Sequence, residues 1–233
     1  MVSTTSSPTT PYNDEQMTVW LRGLFTIAWA DGHFDPEEQT LIAELTGNEL
    51  APNLNIEPFQ PIRPEELAHF LGQNPKTAEN FLRTAVMVAI ADGLYSASED
   101  EILHQFCTAL GQQPKILEAL RLTLHYRVAE GGAPIAPSDH PLGHEEHSLQ
   151  VLKPVQEWLD HLEVHDPRLA RFLCKLIPPQ CPFERDVKLF GHKIVHIPPM
   201  CKINPLYEQL VGLRFRALSY LADECQEDVT PYC

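Results

Sequence analysis

The chain has no long apolar run and few basic residues, and each of these absences excludes a class of protein. Its longest apolar stretch, Ala85 to Ala91, is far too short to cross a membrane. Lys and Arg number 17 against 32 Asp and Glu, which gives a formal net charge of -15. Because nucleic-acid binding needs clustered basic residues that displace counterions, we expect no nucleic-acid partner. The opening residues hold neither an apolar run nor a basic residue, so we expect no secretory signal and a cytoplasmic location.

The sequence also lacks the short motifs that mark common enzymes. It contains no Gly-x-Ser-x-Gly elbow, no Gly-x-Gly-x-x-Gly fingerprint, no His-Glu-x-x-His helix and no Gly-x-x-x-x-Gly-Lys-Ser/Thr phosphate loop. No pattern in the sequence positions a nucleophile beside a base. We therefore predict a non-catalytic protein that binds or organises a protein partner.

Charge and composition divide the chain into parts. Residues 1–148 carry 7 basic and 21 acidic residues, whereas residues 149–233 carry 10 and 11. Residues 1–12 are rich in Ser, Thr and Pro, and residues 131–148 concentrate Gly, Pro and His without periodicity. We predict a disordered tail over 1–12, a helical domain over 13–130, a linker over 131–148 and a smaller domain over 149–233.

Apolar periodicity and helix-cap signals predict an all-α, mainly helical fold, with six helices bundled in the first domain. Asn13 begins a capping-box pattern. Ser98 is a candidate cap for a helix that ends at Gly111, and Pro114 starts another helix, to about Glu130. The glycine and the proline thus mark a helix end and a helix start within a few residues of each other.

The smaller domain is predicted to contain two helices, over about 150–163 and 167–176, and a short β-hairpin. Alternating apolar and polar residues flank Gly191-His192, which suits a two-residue turn. In that register Phe190 would face Lys193.

An acidic corner occurs twice in the first domain. The string Ala-x-Ala-Asp-Gly ends an apolar helix at Asp31 and again 61 residues later at Asp92. In each copy a glutamate seven residues after the Asp, Glu38 or Glu99, starts the next helix. If the two corners face each other, these four carboxylates could surround one divalent cation, calcium or magnesium. The alternative is that each Asp caps the next helix and each Glu interacts with its dipole.

This duplicated corner resembles the TerB-like domain, a tellurite-resistance family that is also related to the amino-terminal domain of the DnaJ-type co-chaperone DjlA. The resemblance covers residues 14–130. It implies an all-α fold with pseudo-twofold helices and an acidic metal site at Asp31, Glu38, Asp92 and Glu99. The chain lacks the His-Pro-Asp signature of a J-domain, so a co-chaperone role is not supported.

Five of the six cysteines lie in the last sixty residues. The predicted hairpin would bring Cys181 within one residue of register with Cys201. Cys174, Cys181, Cys201 and Cys225 could therefore hold zinc or an iron–sulfur cluster, although their spacing matches no standard pattern and no Cys-x-x-Cys is present. The alternatives are a redox disulfide between Cys181 and Cys201, or reduced cysteines that pack as small hydrophobic residues.

Three longer strings in the second part resemble the domain described as molybdenum-dependent nitrogenase-like carboxy-terminal, which occurs mainly in cyanobacteria. They are Cys-Pro-Phe-Glu-Arg over 181–185, Pro-Pro-Met-Cys-Lys-Ile-Asn-Pro-Leu-Tyr-Glu over 198–208 and Leu-Arg-Phe-Arg-Ala-Leu over 213–218. The resemblance implies membership of that domain family and a cyanobacterial source. It does not imply nitrogen reduction, because the phosphate loop is missing. The alternative function is a redox, iron–sulfur or zinc protein linked to nitrogenase or stress metabolism.

Overall fold

The structure is a computed structural model that describes residues 10–30, 61–90, 95–113, 115–123, 126–127, 145–177, 185–189, 192–197 and 206–233. The α-helices in these ranges are α1 (Asp14–Ala28), α2 (Pro64–Leu71), α3 (Pro75–Ala89), α4 (Ala97–Ala109), α5 (Lys115–Thr123), α6 (Glu145–Asp160), α7 (Pro167–Leu176) and α8 (Tyr207–Ser219), and a π-helical turn (Tyr220–Glu224) and a 3-10 turn (Thr230–Tyr232) follow α8. The strands are β1 (Tyr95–Ser96), β2 (Tyr126–Arg127), β3 (Arg185–Leu189) and β4 (His192–Ile197). The predicted all-α class is confirmed.

The first helix is capped as its sequence predicts. Asn13 Oδ1 accepts a hydrogen bond from Gln16 N at 2.7 Å, and Gln16 Oε1 accepts one from Asn13 N at 3.1 Å. This reciprocal capping box satisfies two main-chain donors at the start of α1. The predicted end of α4 is also confirmed, because Gly111 follows the helix with a φ of +67°. That left-handed conformation carries no steric cost for glycine.

Two other predicted boundaries are wrong. The cap of α4 is Ser96 and not Ser98, because Ser96 has the extended conformation of a capping residue while Ser98 already lies inside the first turn. The helix α5 ends at Thr123, before the expected Glu130. Beyond it, the strand β2 pairs in parallel with β1, with Tyr95 opposite Tyr126. A tertiary pairing has therefore replaced the local helical tendency.

The helix α1 lies at the centre of the first part, against α2 and α3. Trp20 is fully buried and contacts the rings of Tyr12 and Phe81, with centroids 4.8 and 5.5 Å away. Gly23 allows the close approach of the three helices. A Cβ added there would lie 2.7 Å from both Leu67 Cδ1 and Phe81 Cζ.

The helices of the second part continue this core. The helix α6 packs against α3, α5 and α8, and α7 packs against α8. One hydrophobic core includes buried residues from all eight α-helices of the described ranges. The helix α6 begins at Glu145, inside the stretch predicted as a linker over 131–148. The division of the chain into two domains joined by a linker stays a prediction.

The end of the chain is held to α7 by a buried arginine. Arg214, in α8, donates hydrogen bonds to three main-chain carbonyls, those of Cys174, Ile177 and Tyr232. The first two carbonyls belong to the carboxy-terminal end of α7, where helix carbonyls have no partner within the helix. The guanidinium therefore joins α7, α8 and the last turn of the chain.

The predicted β-hairpin forms, but its register differs from the expected one. Leu189 pairs with His192 and Lys188 with Lys193, so residues 190 and 191 connect the strands. The predicted pairing of Phe190 with Lys193 is therefore wrong by two residues. A glycine as the second connecting residue is typical of two-residue hairpin loops. An irregularity between Val187 and Lys188 then shifts the rest of the ladder by one residue.

The longest described helix, α6, has 16 residues. Within the described ranges, no helix combines the length and the apolar character needed to cross a membrane.

Substitution of Gly23 by alanine tests the close approach at the centre of the fold. Because the new Cβ would overlap Leu67 and Phe81, we expect Gly23→Ala to destabilise the protein by about 1–3 kcal/mol. Gly212→Ala in α8 is the matched control, since a Cβ there meets nothing within 4 Å. The control should gain about 0.5–1 kcal/mol from the better helix former. Thermal unfolding measures both, and an unchanged Tm for Gly23→Ala would contradict the packing.

Candidate functional site

Of the four acids in the predicted cation site, Glu99 is described, whereas Asp31, Glu38 and Asp92 lie outside the described residues. Glu99 is the third residue of α4. Its Oε2 accepts hydrogen bonds from Ser96 N at 2.8 Å and from Ser96 Oγ at 2.7 Å. The carboxylate therefore caps its own helix, in line with the structural alternative for this residue. The meeting of the four acids stays a prediction.

The residue after Glu99 forms a buried polar cluster that sequence reasoning missed. Asp100 is 5% exposed, and its Oδ1 accepts a hydrogen bond from the Tyr95 hydroxyl at 2.8 Å. His104 Nδ1 lies 3.4 Å from Oδ1, and Arg121 Nε lies 3.3 Å from Oδ2. Burial, followed by the charge of Asp100, raises the pKa of Tyr95. The corresponding aromatic of the first corner is Phe34, which has no hydroxyl, so the two copies differ here.

Among the four proposed thiolate ligands, Cys174 and Cys225 are described, whereas Cys181 and Cys201 lie outside the described residues. Cys174 is buried at the end of α7, and this burial raises the pKa of its thiol to about 11. Burial also raises the pKa of Cys225, against the opposing hydrogen bond with Tyr220. In the described part of the chain, no three His, Cys, Asp or Glu residues lie close enough to hold a metal ion. The four-cysteine site stays a prediction.

The hairpin register bears on the two remaining cysteines. The outermost described pair is Arg185 with Ile197. Cys181 precedes Arg185 by four residues, and Cys201 follows Ile197 by four. Counted along the sequence, the two cysteines are thus equally far from the last described pair. Both lie outside the described residues, so the offset of one residue expected from the sequence stays a prediction.

A buried amide joins the first part of the chain to the loop between α6 and α7. Asn80, in α3, is 5% exposed. Its Nδ2 donates to the main-chain oxygen of Glu163 at 2.8 Å, and its Oδ1 accepts from the main-chain N–H of Glu163 at 3.0 Å. One side chain therefore satisfies both main-chain groups of a residue 83 positions away. The Asn80 amide itself is buried, and its polar atoms would carry a free-energy cost without these partners.

A paired charge lies next to this contact. Asp166 is completely buried, caps α7 through Arg168 N at 2.9 Å, and accepts from the Arg168 guanidinium at 3.1 and 2.9 Å. The same guanidinium donates to Asp14 Oδ1 at 2.7 Å and to the main-chain oxygen of Tyr12 at 2.8 Å. The hydrogen bond with Asp166 is the main reason that the pKa of Arg168 is raised. The starts of α1 and α7 are thus joined through one arginine.

A third contact joins α3 to the end of α6. Arg83 Nε donates to the main-chain oxygen of Trp158 at 2.8 Å, and its guanidinium lies 5.4 Å from the centre of the Trp158 ring. Glu79 Oε1 accepts from Arg83 at 2.8 Å and from Trp158 Nε1 at 3.1 Å. Phe25 of α1 also packs edge-on against Phe172 of α7, with ring centroids 6.2 Å apart. The three polar contacts and this apolar one form what we call the α1/α3–α6/α7 interface.

Comparison with known families gives a match over residues 151–233, to the family described as Mo-dependent nitrogenase C-terminus. The match covers a little over a third of the chain, and supports the resemblance of the carboxy-terminal part to that family. No curated protein and no solved structure matches the chain. The TerB-like resemblance of residues 14–130 stays a prediction. Most of α6, together with α7 and α8, belongs to the matched segment, so the interface joins that segment to the helices before it.

Substitution of Asn80 by leucine tests the interface. Asn80→Leu has a similar volume but leaves both main-chain groups of Glu163 without their partner. We expect a loss of about 1–3 kcal/mol in the free energy of unfolding, measured by urea denaturation. Glu163→Gln is the matched control, because Glu163 contacts Asn80 through its main chain alone and its side chain is 63% exposed. The control should change stability by about 0.5 kcal/mol or less. Equal losses in the two variants would contradict this role of Asn80.

Proposed function

We infer that the chain is a non-catalytic binding and assembly protein, with an acidic helical module that binds a divalent cation and holds the nitrogenase-C-terminus-like segment. The observation that carries this proposal is the pairing of Asn80 with the main chain of Glu163. The main-chain oxygen of Trp158 likewise accepts a hydrogen bond from Arg83. Contacts to main-chain atoms fix the position of a segment whatever side chains it presents. The matched segment can therefore vary its outer surface for a partner while its attachment to α3 is kept.

The cation part of the proposal rests on the duplicated acidic corner. In calcium sites, carboxylate oxygens at about 2.3–2.6 Å supply most of the charge. Glu99 lies at the first turn of α4, where a capping role and a ligand role are both open to a carboxylate. A glutamine at this position completes a capping box equally well but carries no charge. The two roles can therefore be separated by mutation.

Thermal unfolding with and without calcium or magnesium tests the cation site. If the site exists, a cation at a hundred times its Kd should stabilise the wild-type protein by about 2.7 kcal/mol. Glu99→Gln should remove this gain and leave the stability without cation nearly unchanged. Glu99→Ala should remove the gain and also lower the basal stability by about 0.5–1.5 kcal/mol, since the hydrogen bonds from Ser96 to the Glu99 carboxylate are lost. A wild-type Tm that does not respond to either cation, or a response that survives in Glu99→Gln, would exclude Glu99 as a ligand.

The alternative function is a redox, iron–sulfur or zinc protein that uses the carboxy-terminal cysteines. The observation in its favour is the hairpin register, in which Cys181 and Cys201 are equally distant along the sequence from the pair of Arg185 and Ile197. A metal-binding cysteine must be a thiolate, and the pKa of Cys174 is raised to about 11 by burial. Metal binding at Cys174 would therefore release a proton at neutral pH.

Elemental analysis of protein purified without oxygen tests this alternative. If it is correct, iron or zinc should accompany the chain in a fixed ratio, and an iron–sulfur cluster should absorb at about 400 nm. Cys181→Ser should remove the metal. Cys107→Ser is the matched control and should keep it, because Cys107 lies in α4, outside the matched segment. Trace metal only, or the same metal content in both variants, would count against a cysteine-bound cofactor.

A further inference from the structure

A cavity of about 170 Å³ lies between α3, α4, α5 and the Trp158 ring of α6. Its floor consists of the buried side chains of Leu82, Val86, Leu117 and Cys107. Burial raises the pKa of the Cys107 thiol to about 11, so the floor carries no charge at neutral pH. The floor is therefore apolar, with one weakly polar thiol and an aromatic wall beside it.

The rim of the cavity is polar. It includes Glu79, whose side chain is 39% exposed, and the amides of Gln112 and Gln113. Glu79 uses Oε1 to accept hydrogen bonds from Arg83 and Trp158. Its Oε2 accepts no hydrogen bond from any described residue. Glu79, as a residue that lines the cavity, therefore keeps the capacity to accept a hydrogen bond from a bound donor.

We propose that this cavity binds a small amphipathic molecule, with a single-ring or short aliphatic body on the floor and a hydrogen-bond-donating head, neutral or cationic, at Glu79. An apolar cavity of about 150 Å³ is large enough to hold benzene, so the volume suits one ring. Small-molecule sites usually combine apolar walls with a few placed polar groups, as here.

The negative charge around the cavity determines which head groups a bound molecule can carry. An anionic head would meet the Glu79 carboxylate, and residues 1–148 carry 7 basic against 21 acidic residues. Arg83 offsets part of the Glu79 charge at Oε1, while Oε2 remains an acceptor. A hydroxyl or an amine satisfies that oxygen, whereas a carboxylate does not. Amines and alcohols should therefore bind more tightly than acids of the same shape.

The position of the cavity gives its occupant a structural effect. The floor belongs to helices before the matched segment, whereas Trp158 belongs to residues 151–233. A bound molecule would contact both sides of the α1/α3–α6/α7 interface, and so would stabilise the attachment of the matched segment. This inference does not depend on cation binding at the acidic corner.

Methyl-labelled NMR of the full chain tests the site, with benzylamine and benzyl alcohol as probes and benzoate as the charge-reversed control. We expect saturable shifts in the methyl signals of Leu82, Val86 and Leu117, and none at Leu221, which is buried in the π-helical turn after α8. Benzoate should bind at least tenfold more weakly. The proposal is overturned if neither probe saturates these signals, if Leu221 shifts equally, or if benzoate binds as tightly.

Two variants test separately the binding of the apolar body and the recognition of the head group. Val86→Phe places a ring on the floor and should abolish binding of all three compounds. Glu79→Gln should keep binding of the apolar body but reduce the preference for benzylamine over benzoate to less than threefold. Glu118→Gln, on the exposed side of α5, is the matched control and should keep the full preference. Unchanged binding in Val86→Phe overturns the cavity as the site, and an unchanged preference in Glu79→Gln overturns Glu79 as the head-group partner.

Discussion

The paired hydrogen bonds between the Asn80 amide and the main chain of Glu163 are the constraint on which the rest of the structure depends. An amide side chain carries an acceptor oxygen and a donor nitrogen in one plane. It can therefore pair with the main-chain N–H and C=O of one residue, as a neighbouring β-strand would. A carboxylate would repel the Glu163 oxygen, and an apolar residue would leave both groups unpaired. Arg83 and Arg168 act on either side of this point and anchor the end of α6 and the start of α7.

The attachment also explains how a chain of high negative charge keeps its helices together. The charged groups of the interface are paired: the carboxylate of Glu79 with Arg83, and the completely buried carboxylate of Asp166 with Arg168. A buried charge is costly unless it is both paired and hydrogen-bonded, and Asp166 satisfies both conditions through the same residue. The acidic residues that do not take part can remain in water, where the repulsion between them is screened.

The local part of the fold was predictable, and the non-local part was not. Asn13 and Gly111 carry cap and termination signals that act within a few residues, so their roles follow from the sequence alone. The role of Ser96 depends on the pairing of β1 with β2, which is distant in sequence. The burial of Asp100 becomes evident only from its hydrogen bond with the Tyr95 hydroxyl in the folded structure. From the sequence alone, Asn80 is an ordinary polar residue of an amphipathic helix, and nothing near it in the sequence indicates a hydrogen-bond partner at Glu163. The proposed cation and thiolate sites fall mainly on residues outside the described ranges, and they keep the status of sequence predictions.

The same contacts have a kinetic consequence, because they join positions far apart along the chain. Asn80 and Glu163 are separated by 83 residues, and Tyr12 and Arg168 by 156. Closing loops of this length is slow relative to helix formation, and proteins rich in such contacts fold more slowly. During synthesis the helices before the matched segment leave the ribosome first and can associate through short-range contacts. The last third of the chain must then find a surface that already exists, and until it does, Asn80 and the start of α1 remain open to any other chain that offers a free main-chain donor and acceptor.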